Sequence, residues 1–197
     1  HAIGDHAVDL ILKVYRETGV SRQVNNGIMN RIEHFQLLTE ESAKNLSDLN
    51  VVASMQPSHI FSDWSAGNQF WGKRSRYAYA LATMNKAGMP LVLGSDGPVE
   101  PVNPVWGMYA AITRQDLEGN PEGGWYPMER ISPLDAMKAY TINPAMIAGE
   151  DERKGSLTRG KYADFVLMEH DPLTGKPDEW KNAEIVATAF EGDFVYS

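Results

Sequence analysis

The sequence predicts an α/β fold in which short parallel strands alternate with helices. Short apolar runs favour strands at 28–34, 51–55 and 90–94, and a segment that favours a helix follows each of them. The strand–helix units are roughly 25–40 residues long, a length typical of βα repeats that build a parallel sheet. Beyond residue 150 the pattern changes to short β-rich runs, which indicates a second structural unit.

The first three elements are predicted by periodicity and by capping residues. Apolar residues recur at helical spacing over 6–18, and Gly19 suits the position just after the end of that helix. The strand at 28–34 comes next. Thr39 then suits the N-cap of a helix over 40–48.

The next two strands flank a long connection and a helix. The strand at 51–55 ends before Pro57, and a polar and aromatic connection leads from it to a helix over 74–87. Gly88 ends that helix, and the strand at 90–94 follows directly.

Two further helices are predicted by their first residues. Asn103 and Pro104 suit the N-cap and the first helical position of a helix that reaches about residue 114. Ser132 and Pro133 begin another helix in the same way.

The C-terminal residues predict strands separated by turns, without helical periodicity of useful length. The β-rich runs lie at 155–157, 163–168, 185–190 and 194–196. We therefore place a domain boundary near residue 150 and expect one unit at 1–150 and a second at 151–197.

Composition excludes several classes of protein. The 18 Lys and Arg against 26 Asp and Glu give a net charge of −8, which repels phosphate backbones, so we expect no nucleic-acid partner. No apolar run approaches the ~18 residues that a membrane helix needs, so we expect no membrane association. The absence of Cys excludes disulfides, thiolate metal sites and Cys nucleophiles. It mildly favours a reducing compartment, and a cytoplasmic location is the expectation.

Three residues of types that commonly bind metals lie where strands are expected to end. His34 closes the strand at 28–34 and Asp96 follows the strand at 90–94, while His1 precedes the first helix, where the last residue of a strand would lie. In a parallel β/α array the carboxyl ends of the strands form one rim, and active sites are built there. Imidazole and carboxylate together suit a divalent ion such as zinc. A carboxylate beside metal-bound water can also take its proton.

Taken singly, each of these residues has a simpler interpretation. The Ser-Asp-Gly-Pro sequence around Asp96 is typical of a turn. A lone His at the end of a strand is more often a hydrogen-bonded structural residue than a ligand. His6 is expected in the solvated first turn of a helix, and His170 in an ordinary turn. Only their combination points to a function.

Four motifs occur in a fixed order: HAIGD at 1–5, RIEH at 31–34, MQPSH at 55–59 and GSDGPV at 94–99. In this order they resemble the C-terminal half of the amidohydrolase superfamily. The resemblance is to the branch of N-substituted formamide deformylase and many uncharacterised metal-dependent hydrolases. It covers essentially the whole chain, because the segments at 140–145 and 154–166 resemble the closing signature of that branch.

The resemblance implies the C-terminal part of a distorted (β/α)8 TIM-like barrel, followed by strands of a small β-sandwich. It implies that His1, His34 and Asp96 bind a divalent metal, with zinc expected and one or two ions in an intact enzyme. Asp96 would also be catalytic, activating water for attack on the C–N bond of an amide or a related small molecule. His59 on the same rim would contact the substrate or the developing oxyanion. Arg74 would pair with a substrate carboxylate or cap local structure.

The chain also departs from the family pattern. The His-x-His pair after the first strand and the carboxylated Lys or acidic bridge after the fourth have no counterpart in this sequence. A full barrel takes about 250 residues, so 1–150 can hold only its last three strands and the end of another. We therefore expect a C-terminal fragment with half the metal ligands, weakly active or inert by itself.

Two other functions stay open at this point. The chain is also explained as a non-catalytic module that associates with itself through exposed sheet edges. Alternatively, the same fold hydrolyses an ester, lactone or phosphoester, since the same activated hydroxide attacks all of these. The aromatic loops at 60–72 and 118–127 are explained either by an apolar substrate or by packing of the loops themselves.

Overall fold

Two separate three-stranded sheets and the helices between them make up the described structure. The computed structural model describes residues 1–19 and 29–197. One sheet is parallel and carries the N-terminal strands, and the other is antiparallel and lies near the C-terminus. The mixed α/β class predicted from the sequence is confirmed.

The parallel sheet has the order β1-β2-β3. Its strands are β1 (Arg31–Glu33), β2 (Val52–Met55) and β3 (Leu91–Leu93). All three were predicted, although β1 is shorter than expected, and residue 28 of that prediction lies outside the described residues. Because neighbouring strands are parallel, their carboxyl ends meet at one edge of the sheet.

The start of the chain runs beside the outer edge of β1. Ala2 forms a parallel bridge with His34, and the Ala2 backbone N–H donates to the Glu33 carbonyl at 3.0 Å. This short pairing carries His1 to the same edge of the sheet as His34.

The described residues up to 147 form seven α-helices, which connect the N-terminal bridge and the parallel strands or follow them. They are α1 (Asp5–Thr18), α2 (Glu40–Lys44), α3 (Ile60–Phe70), α4 (Leu81–Lys86), α5 (Pro104–Thr113), α6 (Pro133–Tyr140) and α7 (Ile142–Ile147). The predicted caps are confirmed for α2, α5 and α6, whose N-cap side chains accept backbone N–H groups. Gly19 ends α1 in the left-handed conformation at φ 68°, as expected.

Helix α3 was not predicted, since its segment was interpreted as a connection. Gly67 contributed to that interpretation, but the glycine here permits close packing of two indole rings. A Cβ at this position would lie 2.9 Å from both Trp71 and Trp125. The helix therefore depends on a contact with a distant loop, which local patterns do not reveal.

The predicted helix over 74–87 is interrupted. The structure has a 3-10 helix at Gly72–Tyr77, then a break, then α4. In the break, Tyr79 adopts φ 50°, and the Ala78 and Tyr79 carbonyls accept hydrogen bonds from the buried Arg114. These carbonyls are satisfied by a side chain from another element, so the helix does not continue through them.

The C-terminal sheet has the order β4-β5-β6. Strands β4 (Phe165–Met168), β5 (Ile185–Phe190) and β6 (Asp193–Tyr196) agree with the prediction, whereas 155–157 forms no strand. Neither α7 nor the four-residue α8 (Pro177–Trp180) was predicted. The boundary near residue 150 stays a prediction.

The tail contacts the first part of the chain through α8. Trp180 is buried in the hydrophobic core, and the Trp106 indole N–H donates to the Lys181 carbonyl at 3.0 Å. Across residues 1–19 and 29–197, no helix is both long enough and apolar enough to cross a bilayer.

Candidate metal and substrate site

The candidate site lies where the parallel strands end. His34 follows β1, Gln56 follows β2, and the loop that contains Asp96 begins after β3. The strand register places these ends side by side, since Glu33 pairs with Ser54 and Met55 pairs with Leu93.

His1 and His34 form the centre of the site. The Nδ1 of His1 lies 3.0 Å from the Nε2 of His34, and the ring centroids are 5.1 Å apart. His1 is exposed, whereas His34 is only 8% exposed. His34 adopts φ 69°, a conformation that costs a non-glycine residue about 1–3 kcal/mol. The surrounding structure therefore holds this residue in place at some energetic cost.

Two further side chains flank His34. Its Nδ1 lies 3.0 Å from the Oε1 of Gln56, which is itself buried. On its other side the His59 ring stacks at a centroid distance of 6.3 Å and an interplanar angle of 29°. Gln56 thus contacts the edge of the His34 ring, and His59 stacks on its face.

The 3-10 turn after β2 carries polar atoms without partners. Within the described ranges, the Nε2 of His59 and the Oγ of Ser58 are buried and have no hydrogen-bond partner. Such atoms are uncommon in folded proteins and often mark sites where another group binds. His59 is thus placed on the rim beside His34, as predicted, while its predicted substrate role stays a prediction.

A carboxylate network lies beside the histidines. Asp63 in α3 accepts hydrogen bonds from the Gln36 amide at 2.7 Å and from the Tyr79 hydroxyl at 2.6 Å. Burial and the charge of Asp63 together hold the pKa of Tyr79 well above its usual range. Burial also raises the pKa of Glu100; His59 opposes this shift and Asp63 adds to it.

Arg114 stabilises this network through the backbone of Tyr79. Its guanidinium is completely buried and donates to the carbonyls of Tyr79, Ala78 and Trp125 at 2.7, 2.9 and 2.8 Å. Burial lowers its pKa to about 10, so it stays charged at neutral pH. Arg114 therefore fixes the backbone of Tyr79, whose hydroxyl binds Asp63.

Asp96 lies at the predicted strand end, but within residues 1–19 and 29–197 no hydrogen bond or ion pair joins it to a histidine. It is exposed, with φ 57°, and its carbonyl accepts the Val99 N–H at 2.9 Å. Among the residues that the structure describes, its carboxylate has no hydrogen bond or ion pair. Its predicted metal and catalytic roles stay predictions.

Arg74 contacts a neighbour of His1. Its guanidinium forms an ion pair with Asp5 of the HAIGD motif. Since the Arg74 side chain is 57% exposed, the pair contributes little to stability. The contact places Arg74 near the site through Asp5, and its binding of a substrate carboxylate stays a prediction.

The donors present fit part of a zinc site. Two nitrogens that bind one zinc at about 2.0–2.1 Å must lie within about 4.2 Å of each other. The 3.0 Å between His1 and His34 meets this condition. In the described part of the chain, no cluster of three or more His, Asp or Glu is arranged to hold a metal. Within the described residues, His1 and His34 are therefore two side chains placed closely enough to share an ion, of the four ligands that zinc usually takes.

The aromatic loops pack against each other and against the core. Trp125 is 3% exposed, stacks on Trp71 at a centroid distance of 6.4 Å and lies 5.6 Å from the Arg114 guanidinium carbon. The Trp64 indole donates to Asp116 at 3.2 Å. These contacts favour the interpretation of the rings as anchors of long loops.

Three side chains of this site were not predicted from the sequence. Gln56 lies within the MQPSH motif, and its position at a strand end was the available signal. Asp63 and Glu100 lie in segments interpreted as connections, and no local pattern distinguishes them from solvated carboxylates.

Comparison with known proteins gives consistent matches. The sequence profile of the amidohydrolase family matches residues 1–196. "Protein LONG AFTER FAR-RED 3" of Arabidopsis thaliana is 36% identical over 204 residues, which span 100% of this chain and 33% of that protein. N-substituted formamide deformylase of Arthrobacter pascens is 27% identical over 100% of this chain and 36% of its own length.

A solved structure agrees with these matches. An uncharacterized metal-dependent hydrolase from Pyrococcus furiosus superimposes with a TM-score of 0.71 and 32% identity, covering 88% of this chain and 33% of that one. This chain spans about a third of the length of the relatives it matches. Because the family profile extends over almost every residue, the chain belongs to the amidohydrolase family.

Proposed function

We propose that this chain forms part of the active site of a metal-dependent hydrolase that cleaves C–N bonds in small amides or related compounds other than peptides. The observation that carries the proposal is the approach of His1 Nδ1 and His34 Nε2 to 3.0 Å at the carboxyl edge of the parallel sheet. Family membership and the similarity to a formamide deformylase support the same reaction class.

The proposed metal is zinc, held by His1 and His34 together with Asp96. When bound, the ion lowers the pKa of water toward about 7 and polarises the carbonyl that is attacked. Asp96 would take the proton of the attacking water, and its position on the loop after β3 supports this role. His59 would donate through its unpartnered Nε2 to the oxyanion that develops on the substrate.

The substrate is proposed to enter from the solvent side of His1. Arg74 pairs with Asp5 through Nη1, and its remaining N–H groups are the proposed donors to a substrate carboxylate. Esters, lactones and phosphoesters are the alternatives on the same fold, and a substrate panel separates them from amides.

We propose that residues outside this sequence complete the site, as the C-terminal part of a (β/α)8 barrel would require. Two observations support this. In the described residues the parallel sheet has three strands, and the outer edge of β1 is bordered only by the short pairing of Ala2. The chain also spans about a third of each relative's length.

The test measures hydrolysis by this chain and by a longer protein. The longer protein also contains the residues that the gene encodes upstream of this chain. We expect the extended protein to hydrolyse N-formyl amines, to lose activity with a chelator and to regain it with zinc. Asp96→Asn should lower kcat by about 10²–10⁴-fold, because a general base is lost. Asp193→Asn, at an exposed position in β6, is the control. Activity that survives both the chelator and Asp96→Asn would contradict the proposal.

A second candidate function is self-association through the face formed by α1 and the edge of β1. A largely apolar cleft of about 340 Å³ lies there, and Leu10 is 56% exposed beside it. If this is the chain's role, sedimentation should show dimers or larger species. Leu10→Lys should then yield monomers, whereas Leu157→Lys, at another exposed apolar position, should not.

A further inference from the structure

Gln56 occupies a fixed position next to His34. It follows β2 directly, is 7% exposed, and lies beside a strand end whose backbone is itself anchored. The His34 backbone N–H donates to the Ser54 carbonyl at 2.8 Å, which ties the two strand ends together. The 3.0 Å contact between Gln56 Oε1 and His34 Nδ1 is therefore built into the sheet.

The chemistry of this contact selects one form of the His34 ring. An amide oxygen can only accept a hydrogen bond, so the Nδ1 atom that faces it must carry the proton. In the neutral imidazole, Nε2 is then left with a free lone pair. That atom is the one that faces His1, at 3.0 Å.

We propose that Gln56 is a positioning residue that holds His34 in the Nδ1-protonated form and so directs Nε2 to the metal. The inference rests on the proposed function, since it concerns the ion that His1 and His34 would share. A neutral imidazole binds a metal only through its unprotonated nitrogen. Groups that fix this choice commonly affect metal affinity by about 10–100-fold.

His59 adds a second constraint on the same ring. Its stacking at 6.3 Å and 29° restricts the tilt of the His34 ring, while Gln56 restricts its rotation. Removal of the Gln56 acceptor should therefore change which nitrogen is protonated without displacing the ring from the sheet edge.

The first test uses the metal-free chain and ¹⁵N–¹H correlation spectra of its imidazole rings at a pH where they are neutral. We expect His34 to carry its proton on Nδ1. Gln56→Met, which keeps the side-chain length but removes the acceptor, should shift the proton toward Nε2, and Gln56→Glu should retain it on Nδ1. Gln36→Met is the matched control, because Gln36 is buried two residues from His34 but contacts Asp63 instead.

The second test is calorimetric titration of the same proteins with zinc. Gln56→Met should weaken zinc binding about 10–100-fold, and Gln56→Glu and Gln36→Met should not. A proton on Nε2 in the unmodified protein, or a tautomer unchanged in Gln56→Met, would overturn the inference. Equal zinc affinity of the unmodified chain and His34→Ala would instead refute the proposed metal site. The two failures are distinguishable, because the spectra of the metal-free proteins test the role of Gln56 without zinc.

Discussion

Replacing Arg114 with methionine should lower the free energy of unfolding by about 4 kcal/mol. The guanidinium donates three hydrogen bonds to backbone carbonyls, at 2.7, 2.8 and 2.9 Å, and is completely buried. Each such bond from a charged donor contributes about 1.5–3 kcal/mol, or about 4.5–9 kcal/mol for three. Burying the charge offsets several kcal/mol of this sum. In the variant the Tyr79 carbonyl still accepts the Leu81 N–H at 2.8 Å, whereas the Ala78 and Trp125 carbonyls lose the guanidinium donor, which adds to the loss.

Arg130→Met is the matched control for this substitution. Arg130 also donates to two backbone carbonyls, those of Thr113 at 3.0 Å and Gly123 at 2.8 Å, but the residue is exposed. Because water can replace those bonds, we expect a loss of no more than about 1 kcal/mol. The comparison therefore isolates the effect of burial.

Urea unfolding followed by tryptophan fluorescence measures both variants. Trp125 reports locally, since its ring lies 5.6 Å from the Arg114 guanidinium carbon. The midpoint should fall far more for Arg114→Met than for Arg130→Met, with similar slopes. Equal midpoints for the two variants would refute the claim that the buried guanidinium supports the break before α4.

Three further predictions follow from particular contacts. Gly107→Ala would place a Cβ 1.9 Å from the Tyr140 hydroxyl oxygen, so we expect urea unfolding to show a free energy of unfolding lower by about 1–3 kcal/mol. Tyr140→Phe in the same protein should restore part of this stability, and additive losses in the double variant would contradict the prediction. The pKa of Tyr79 is raised in the folded state by burial and by Asp63, so above pH ~10 the unfolded chain loses a proton that the folded chain keeps, and stability falls as pH rises. Tyr79→Phe should make this decline shallower between pH ~9.5 and ~11.5, and parallel curves over that range would exclude a contribution from Tyr79. Glu129→Gln should lower the free energy of unfolding by about 2 kcal/mol, because this buried carboxylate accepts hydrogen bonds from Arg76 at 2.8 Å and from Thr83. A thermal midpoint equal to that of the unmodified chain would disprove this prediction.

The sequence predicted those elements of the fold whose signals are local. The helices that begin after Thr39, Asn103 and Ser132 each use the predicted side chain as a cap, and the three parallel strands are short apolar runs. Helix α3 and the break before α4 depend on contacts with the distant Trp125 and Arg114. Patterns within a short window contain no information on such contacts.

The candidate site was predictable to the extent that strand ends determine it. His34 and His59 follow adjacent parallel strands, so their proximity follows from the rule that carboxyl ends share an edge. The role of Gln56 depends on which nitrogen of a neighbouring ring it contacts, and only coordinates reveal that. The convergence of Asp96 with the histidines remains a proposal, since its loop leaves the sheet in a direction that the residue types do not determine.

The central claim is that His1 and His34 bind one metal ion together. A zinc titration of the ¹⁵N-labelled chain tests it most directly, because the 5 histidines of the sequence include internal controls. We predict that the His1 and His34 ring signals change together and saturate at one equivalent of zinc, while those of His6 and His170 do not change. Equal changes in all rings, or changes in His6 and His170 alone, would contradict the account.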